Sequence, residues 1–180
     1  IEMPACLRPD PASVTVSEIT QNTATVSWTD SDENNTTWTV YYKASADEEY
    51  LSETTTETTV ELIDLLPGTP YEVYVTTVCE DGSESDATYT KQFYTLQEAV
   101  ELPYTCDFEE EDVENAWLIK NGTIVNQWHI GTPSGATSNS LFISNDNGAT
   151  ATYAHSASVV VAEKLFQLGA TDSIRISFDL

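Results

Sequence analysis

Residues 65–71 read Leu65-Leu66-Pro67-Gly68-Thr69-Pro70-Tyr71, a turn signal set between two alternating apolar runs. On its N-terminal side, residues 58–65 offer Val60 and Leu62, with Leu65 at the exit. On its C-terminal side, residues 71–79 offer Tyr71, Val73 and Val75. A period of two marks a half-buried strand. The pattern continues outward through 13–19, through 23–28 with Ala24, Val26 and Trp28 on one face, through 37–43 with Trp38, Val40 and Tyr42, and through 88–95. Asp30–Asn35, Asp47–Glu49 and Asp81-Gly82 supply the turns between them. About seven short strands in roughly 95 residues, almost without helical signals, predict a β-sandwich.

Composition narrows the function classes. The 180 residues carry 30 Asp and Glu against 6 Lys and Arg, a formal net charge of -24. Such a surface repels phosphate backbones, which excludes ordinary electrostatic binding of nucleic acid, and it disfavours anionic membranes equally. It favours solubility and attracts divalent cations. Hydrophobic residues at 40% suffice for a core. No apolar run approaches the roughly 20 residues of a membrane span. There is no initiator Met and no signal peptide, so the chain reads as a mature or excised piece. Ser173–Leu180 alternates like a strand to the last residue, and the natural protein is expected to continue.

Residues 6–96 resemble a fibronectin type III domain. The resemblance rests on Pro11 and Val14, on Trp28, on Val40 and Tyr42, and most specifically on the Leu-x-Pro-x-Thr-x-Tyr corner at Leu65–Tyr71. It implies that the Tyr71 hydroxyl returns to nearby backbone and that Trp28 fills the space between two sheets. The second part of the chain is similar to the front half of a MAM-like jelly roll. More closely, it resembles the choice-of-anchor J and cleaved-adhesin relatives of Gram-negative anaerobes. The carrying residues are Cys106-Asp-Phe-Glu109, Trp117, Trp128-His-Ile-Gly131, Ser140-Leu-Phe-Ile-Ser144 and Ile176-Ser-Phe-Asp179. The expected fold is therefore all-β: a fibronectin type III (immunoglobulin-like) sandwich over 1–96, a linker at 97–101, and an incomplete jelly-roll-like β-sandwich over 102–180.

In a fibronectin-like sandwich Cys6 precedes the first strand and Cys79 ends the sixth, at the same end. The resemblance thus implies a Cys6–Cys79 bridge closing a loop of about 73 residues; Cys79–Cys106 is disfavoured because the last strand carries the chain to the opposite end, and three buried thiols are the other alternative. Cys106 stays open, either awaiting a partner past residue 180 or filling a small buried space. The bridge points to an oxidising compartment.

The sharpest chemical expectation is a structural Ca2+ site, since hard cations want several oxygen ligands. MAM-like domains hold a cation near the first strand, and this nominates Glu109 and Asp107. The two flank Phe108 and are expected on one strand face. Asp146, in the turn Asn145-Asp-Asn-Gly148, is added on chemistry alone. The competing reading is an acidic loop, continuing through Glu109–Glu114, plus an ordinary hairpin turn. Catalysis has little support. His129 and His155 have no nucleophile in a recognisable motif, no Gly-x-Ser-x-Gly elbow occurs, and carboxylates are too abundant to single out an acid–base pair. For sugar binding, Trp117, Trp128, Tyr104 and Tyr153 are aromatic candidates, with Asn126 or Asn145 as amide partners. Tyr41, Tyr50 and Tyr74 fall on outward parity in the first domain. No Arg-Gly-Asp occurs, and Asn34, Asn35 and Asn121 lie in Asn-x-Thr sequons.

These observations point to a secreted or bacterial cell-surface, non-enzymatic protein that binds extracellular glycan or protein ligands. The first domain is expected to act as spacer and the second as binder. An accessory region of a larger secreted peptidase or glycoside hydrolase, or a structural stalk, is the alternative.

Overall fold

The computed structural model describes residues 6–109, 117–170 and 173–178. The expected acidic run beyond Glu109 and the last two residues of the terminal alternation lie outside them. The described residues contain strands and no helix, so no helix is long and apolar enough to cross a membrane. The chain divides into two compact units, Ile1–Gln97 and Glu98–Leu180.

The first unit is a two-sheet sandwich. One sheet contains β1 (Thr15–Ser17), β2 (Ala24–Ser27) and β5 (Thr59–Leu62), in the order β1-β2-β5. The other contains β3 (Trp38–Ala44), β4 (Leu51–Thr55), β6 (Pro70–Thr77) and β7 (Lys91–Tyr94), in the order β4-β3-β6-β7. All the pairings are antiparallel. The alternating sequence becomes a core in which Ala24, Val26, Val40, Leu62, Val73 and Val75 are all buried. Trp28 lies between the sheets at 4% exposure, its ring edge-on to Trp38 with centroids 6.1 Å apart. The Trp38 indole N–H donates to Asp30 Oδ2 at 2.8 Å, an oxygen that also accepts from Asn35 Nδ2 at 2.9 Å. Asp30, in the loop between β2 and β3, therefore anchors a core tryptophan.

The corner at 65–71 works through its backbone. Leu66 N–H donates to Tyr71 Oη at 2.9 Å, so the buried hydroxyl stays paired, and its loss would strand a donor at about 1–3 kcal/mol. Tyr71 stacks on Phe93, centroids 5.5 Å apart. Thr95 ties the corner to the end of β7: its hydroxyl donates to Leu66 O at 2.6 Å and accepts Thr69 N–H at 2.9 Å. Gly68 has φ +59, and a Cβ there would meet Gln97 Cγ at 3.3 Å. Cys6 and Cys79 form a disulfide with Cα atoms 5.4 Å apart, linking the entry segment to the residues just after β6. The threonine-rich run Thr54–Thr59 is divided between two strands and a turn. β4 ends at Thr55, whose Oγ1 accepts Glu57 N–H at 3.0 Å in a short turn, and β5 begins at Thr59.

Among its described residues, the second unit has three two-stranded pairings. β8 (Val100–Glu101) lies parallel to β13 (Phe166–Gln167). β9 (Leu118–Lys120) pairs with β12 (Val161–Glu163), and β10 (Gln127–Gly131) with β11 (Ser140–Ser144), both antiparallel. Lys120 and Glu163 form an ion pair across β9 and β12. Leu118 and Phe142 are buried, together with polar Asn126 and Ser144. Residues 174–178 form no strand: alternation sets parity, but a strand exists only as a ladder with a neighbour.

Candidate functional site

On the outward face of the four-stranded sheet, three tyrosines come together. Tyr41 on β3 is the register partner of Tyr74 on β6. Their rings stack with centroids 5.0 Å apart and planes 19° apart. Tyr50, just before β4, meets Tyr74 edge-on at 5.0 Å. The cluster is half-buried and rimmed by charge. Tyr41 Oη donates to Glu84 Oε1 at 2.7 Å, and Tyr50 Oη donates to Glu72 Oε2 at 3.2 Å. Lys43 Nζ lies 5.1 Å from the Tyr50 ring centroid. The bond to Glu84, aided by partial burial, pushes the Tyr41 phenol up from its ordinary 10.0 to about 12. The sign follows: this interaction contributes fully below about pH 10 and is lost as pH rises through about 12. A tyrosine-resolved NMR titration is expected to show Tyr41 ionising well above the ordinary 10.0, near 12. Glu84→Ala should bring it back toward the ordinary value, and an unchanged Tyr41 titration would refute the pairing.

The second unit contains an open hollow of about 540 Å³, lined by Asn126, Ile143, Tyr153, His155, Ser156 and Ser158 among others. Tyr153 is 68% exposed and meets the His155 ring at 5.9 Å. Asn126 does not offer its amide to a ligand as expected. Its Nδ2 donates to Ala154 O at 3.0 Å and to Ser158 Oγ at 3.0 Å, and its Oδ1 accepts Ala154 N–H at 2.7 Å. It braces the hollow's wall. Trp128 is half-buried, with its indole N–H directed to Val160 O at 3.4 Å. Trp117 packs on Phe108, centroids 5.9 Å apart, and Tyr104 meets Phe166 edge-on. These three rings are thus engaged within the unit, while Tyr153 stands exposed at the hollow.

The expected metal ligands occupy separate hydrogen-bonding roles. Phe108 has φ +63, and Asp107 Oδ1 accepts Glu109 N–H at 3.1 Å. This segment is a turn, so the two carboxylates do not share a strand face: a short acidic side chain has captured the backbone donor two residues on. Glu109 Oε1 accepts Asn139 N–H at 2.7 Å. Asp146 is held by its own turn. It accepts from Ser144 Oγ at 2.5 Å, Thr150 N–H at 2.9 Å and Thr150 Oγ1 at 2.6 Å, and these bonds lower its carboxyl to about 2. Among the described residues, Asp107, Glu109 and Asp146 do not form a group of three that could hold a metal ion. The turn itself is as expected, with Asn147 at φ 59 and Gly148 at φ 83, where a Cβ would meet His129 Nδ1 at 3.1 Å. Two sequon asparagines serve the fold. Asn35 donates to Asp30, and Asn121 both donates to Trp128 O and accepts Trp128 N–H. Cys106 is a half-buried free thiol.

No curated protein matches the chain. Solved structures similar to it include a fibronectin type III domain of human contactin 1, with 20% identity and a TM-score of 0.47, covering 59% of this chain and 92% of that one. Another is the domain of human collagen XX, with 22% identity and a TM-score of 0.44, covering 53% of this chain and 100% of that one. A two-domain segment of chicken tenascin is 27% identical with a TM-score of 0.45; 49% of this chain and 51% of that segment are covered. Residues 9–91, which hold β1 to β6 entire, match the family described as fibronectin type III domain.

Proposed function

We propose that this chain is a non-catalytic extracellular binding protein in which the first unit is a rigid support and the second takes a sugar. Fibronectin type III domains are typically binding or structural modules, and the Cys6–Cys79 bridge fits an extracellular setting. The resemblance of residues 102–180 to MAM-like and choice-of-anchor J domains supports a bacterial cell-surface or secreted location. The observation that carries the sugar reading is the hollow of about 540 Å³ with Tyr153 exposed beside it and Ser156 and Ser158 along its wall. Sugar rings present an apolar face to an aromatic ring and hydroxyls to polar side chains, and this hollow offers both.

The test is an array of neutral oligosaccharides probed with the whole chain, followed by titration of any hit. Tyr153→Ala is expected to weaken binding about three- to tenfold, the value of one aromatic contact. Absence of any neutral glycan on the array, or equal binding by Tyr153→Ala, would remove the sugar reading.

A further inference from the structure

We infer that the tyrosine face of the first unit is a docking surface for an arginine-bearing segment of a partner protein. Isolated outward tyrosines on a sheet need no explanation. Here Tyr74 of β6 touches both Tyr41 of β3 and Tyr50 on the approach to β4. Rings in contact make a broad, stiff aromatic surface that costs little side-chain entropy to use. Two of the three hydroxyls donate to carboxylates, Tyr41 to Glu84 and Tyr50 to Glu72. A phenol donating to an anion has a more electron-rich ring, and the face of such a ring attracts cations. Each carboxylate keeps lone pairs for a further donor.

Charge selects the occupant. With a net charge of -24, the field of the chain draws cations and repels sulfated or phosphorylated ligands. A neutral glycan gains nothing from that field. The chain also shows the contact within itself: Arg8 lies over Tyr89 at 6.0 Å, Lys43 over Tyr50 at 5.1 Å and Lys164 over Tyr104 at 5.8 Å. Three of its 6 basic residues already rest on tyrosine rings. Arginine fits the face better than lysine. Its planar guanidinium stacks on a ring while its edge donates to a carboxylate such as Glu72 or Glu84.

The experiment is an NMR titration of the whole chain with the peptide Arg-Gly-Arg-Gly-Arg, and with the same peptide carrying Lys or Glu in place of Arg. The Arg peptide is expected to shift resonances around residues 41, 50 and 74, and the Lys peptide to bind more weakly. Tyr74→Ser leaves the charge unchanged and should weaken the Arg peptide about three- to fivefold. Tyr50→Ser, outside the strands, should act in the same direction and covers the case in which Tyr74→Ser disturbs the sheet. Unchanged affinity in a folded Tyr50→Ser variant, or shifts spread over the whole acidic surface, would overturn the inference as mere charge attraction. A neutral oligosaccharide that shifts the same residues more strongly than the Arg peptide would overturn it in favour of a glycan.

Discussion

Replacing both Cys6 and Cys79 by serine is expected to lower the stability of the first unit by about 4 kcal/mol. The bridge spans a sequence separation of 73 residues. Without it the unfolded chain regains the freedom of a loop that long, which the chain-entropy relation values at about 4 kcal/mol. For a domain of this size that is a fall in melting temperature of roughly 15–30 °C. The folded state should change little, because the strands are held by their own ladders and by the shared core. Calorimetry of the double variant, beside the native chain with and without reductant, checks this. The reduced native chain should match the variant. A loss under about 1 kcal/mol would mean that the entry segment restrains the unfolded chain far less than loop closure predicts.

Trp28→Ala is the other large effect, at about 3–5 kcal/mol. The side chain lies between the sheets at 4% exposure, against Trp38. Truncation leaves a void that β2 cannot collapse to fill, since it is paired on both edges by β1 and β5. Phenylalanine separates packing from polarity. The Trp28 indole N–H is buried without a hydrogen-bond partner among the described residues. Trp28→Phe therefore breaks no hydrogen bond and is expected to cost less than Trp38→Phe, which strips a partner from Asp30 Oδ2. Urea unfolding of the three variants gives the order. A Trp28→Phe loss equal to that of Trp28→Ala would contradict the packing account.

The corner was legible in the sequence because its defining parts lie within seven residues: a turn, a tight glycine and a tyrosine whose hydroxyl reaches Leu66 N–H; its ties to Thr95 were not. Strand parity was legible too, and it separated Val40, Val73 and Val75 from Tyr41 and Tyr74 correctly. What parity does not give is register. Tyr41 meets Tyr74 only because β3 and β6 pair with those two residues opposite, a non-local choice made by the whole core. Asp107 and Glu109 show the opposite failure. An apolar residue between two acids looks like a strand, but the Asp107 side chain caught the Glu109 N–H and Phe108 took a left-handed backbone. Asn126 reads as a free amide until residues 154–158, nearly thirty positions away, fold against it. Side-chain to backbone bonds of this kind decide the site, and the sequence does not pair them.

The covalent link between Cys6 and Cys79 also sets a load path. If the first unit is pulled from its two ends, tension entering before Cys6 crosses the sulfurs to Cys79 and leaves through the residues that follow. Strands β1 to β6 lie inside the closed loop, so tension along the chain cannot extend them. Only the stretch from residue 80 to the end of the unit at Gln97 can pay out, about 60 Å when fully extended. Stretching would peel β7 from β6 and then stop, with six strands still inside an inextensible ring. Such a unit yields slightly under force and then holds.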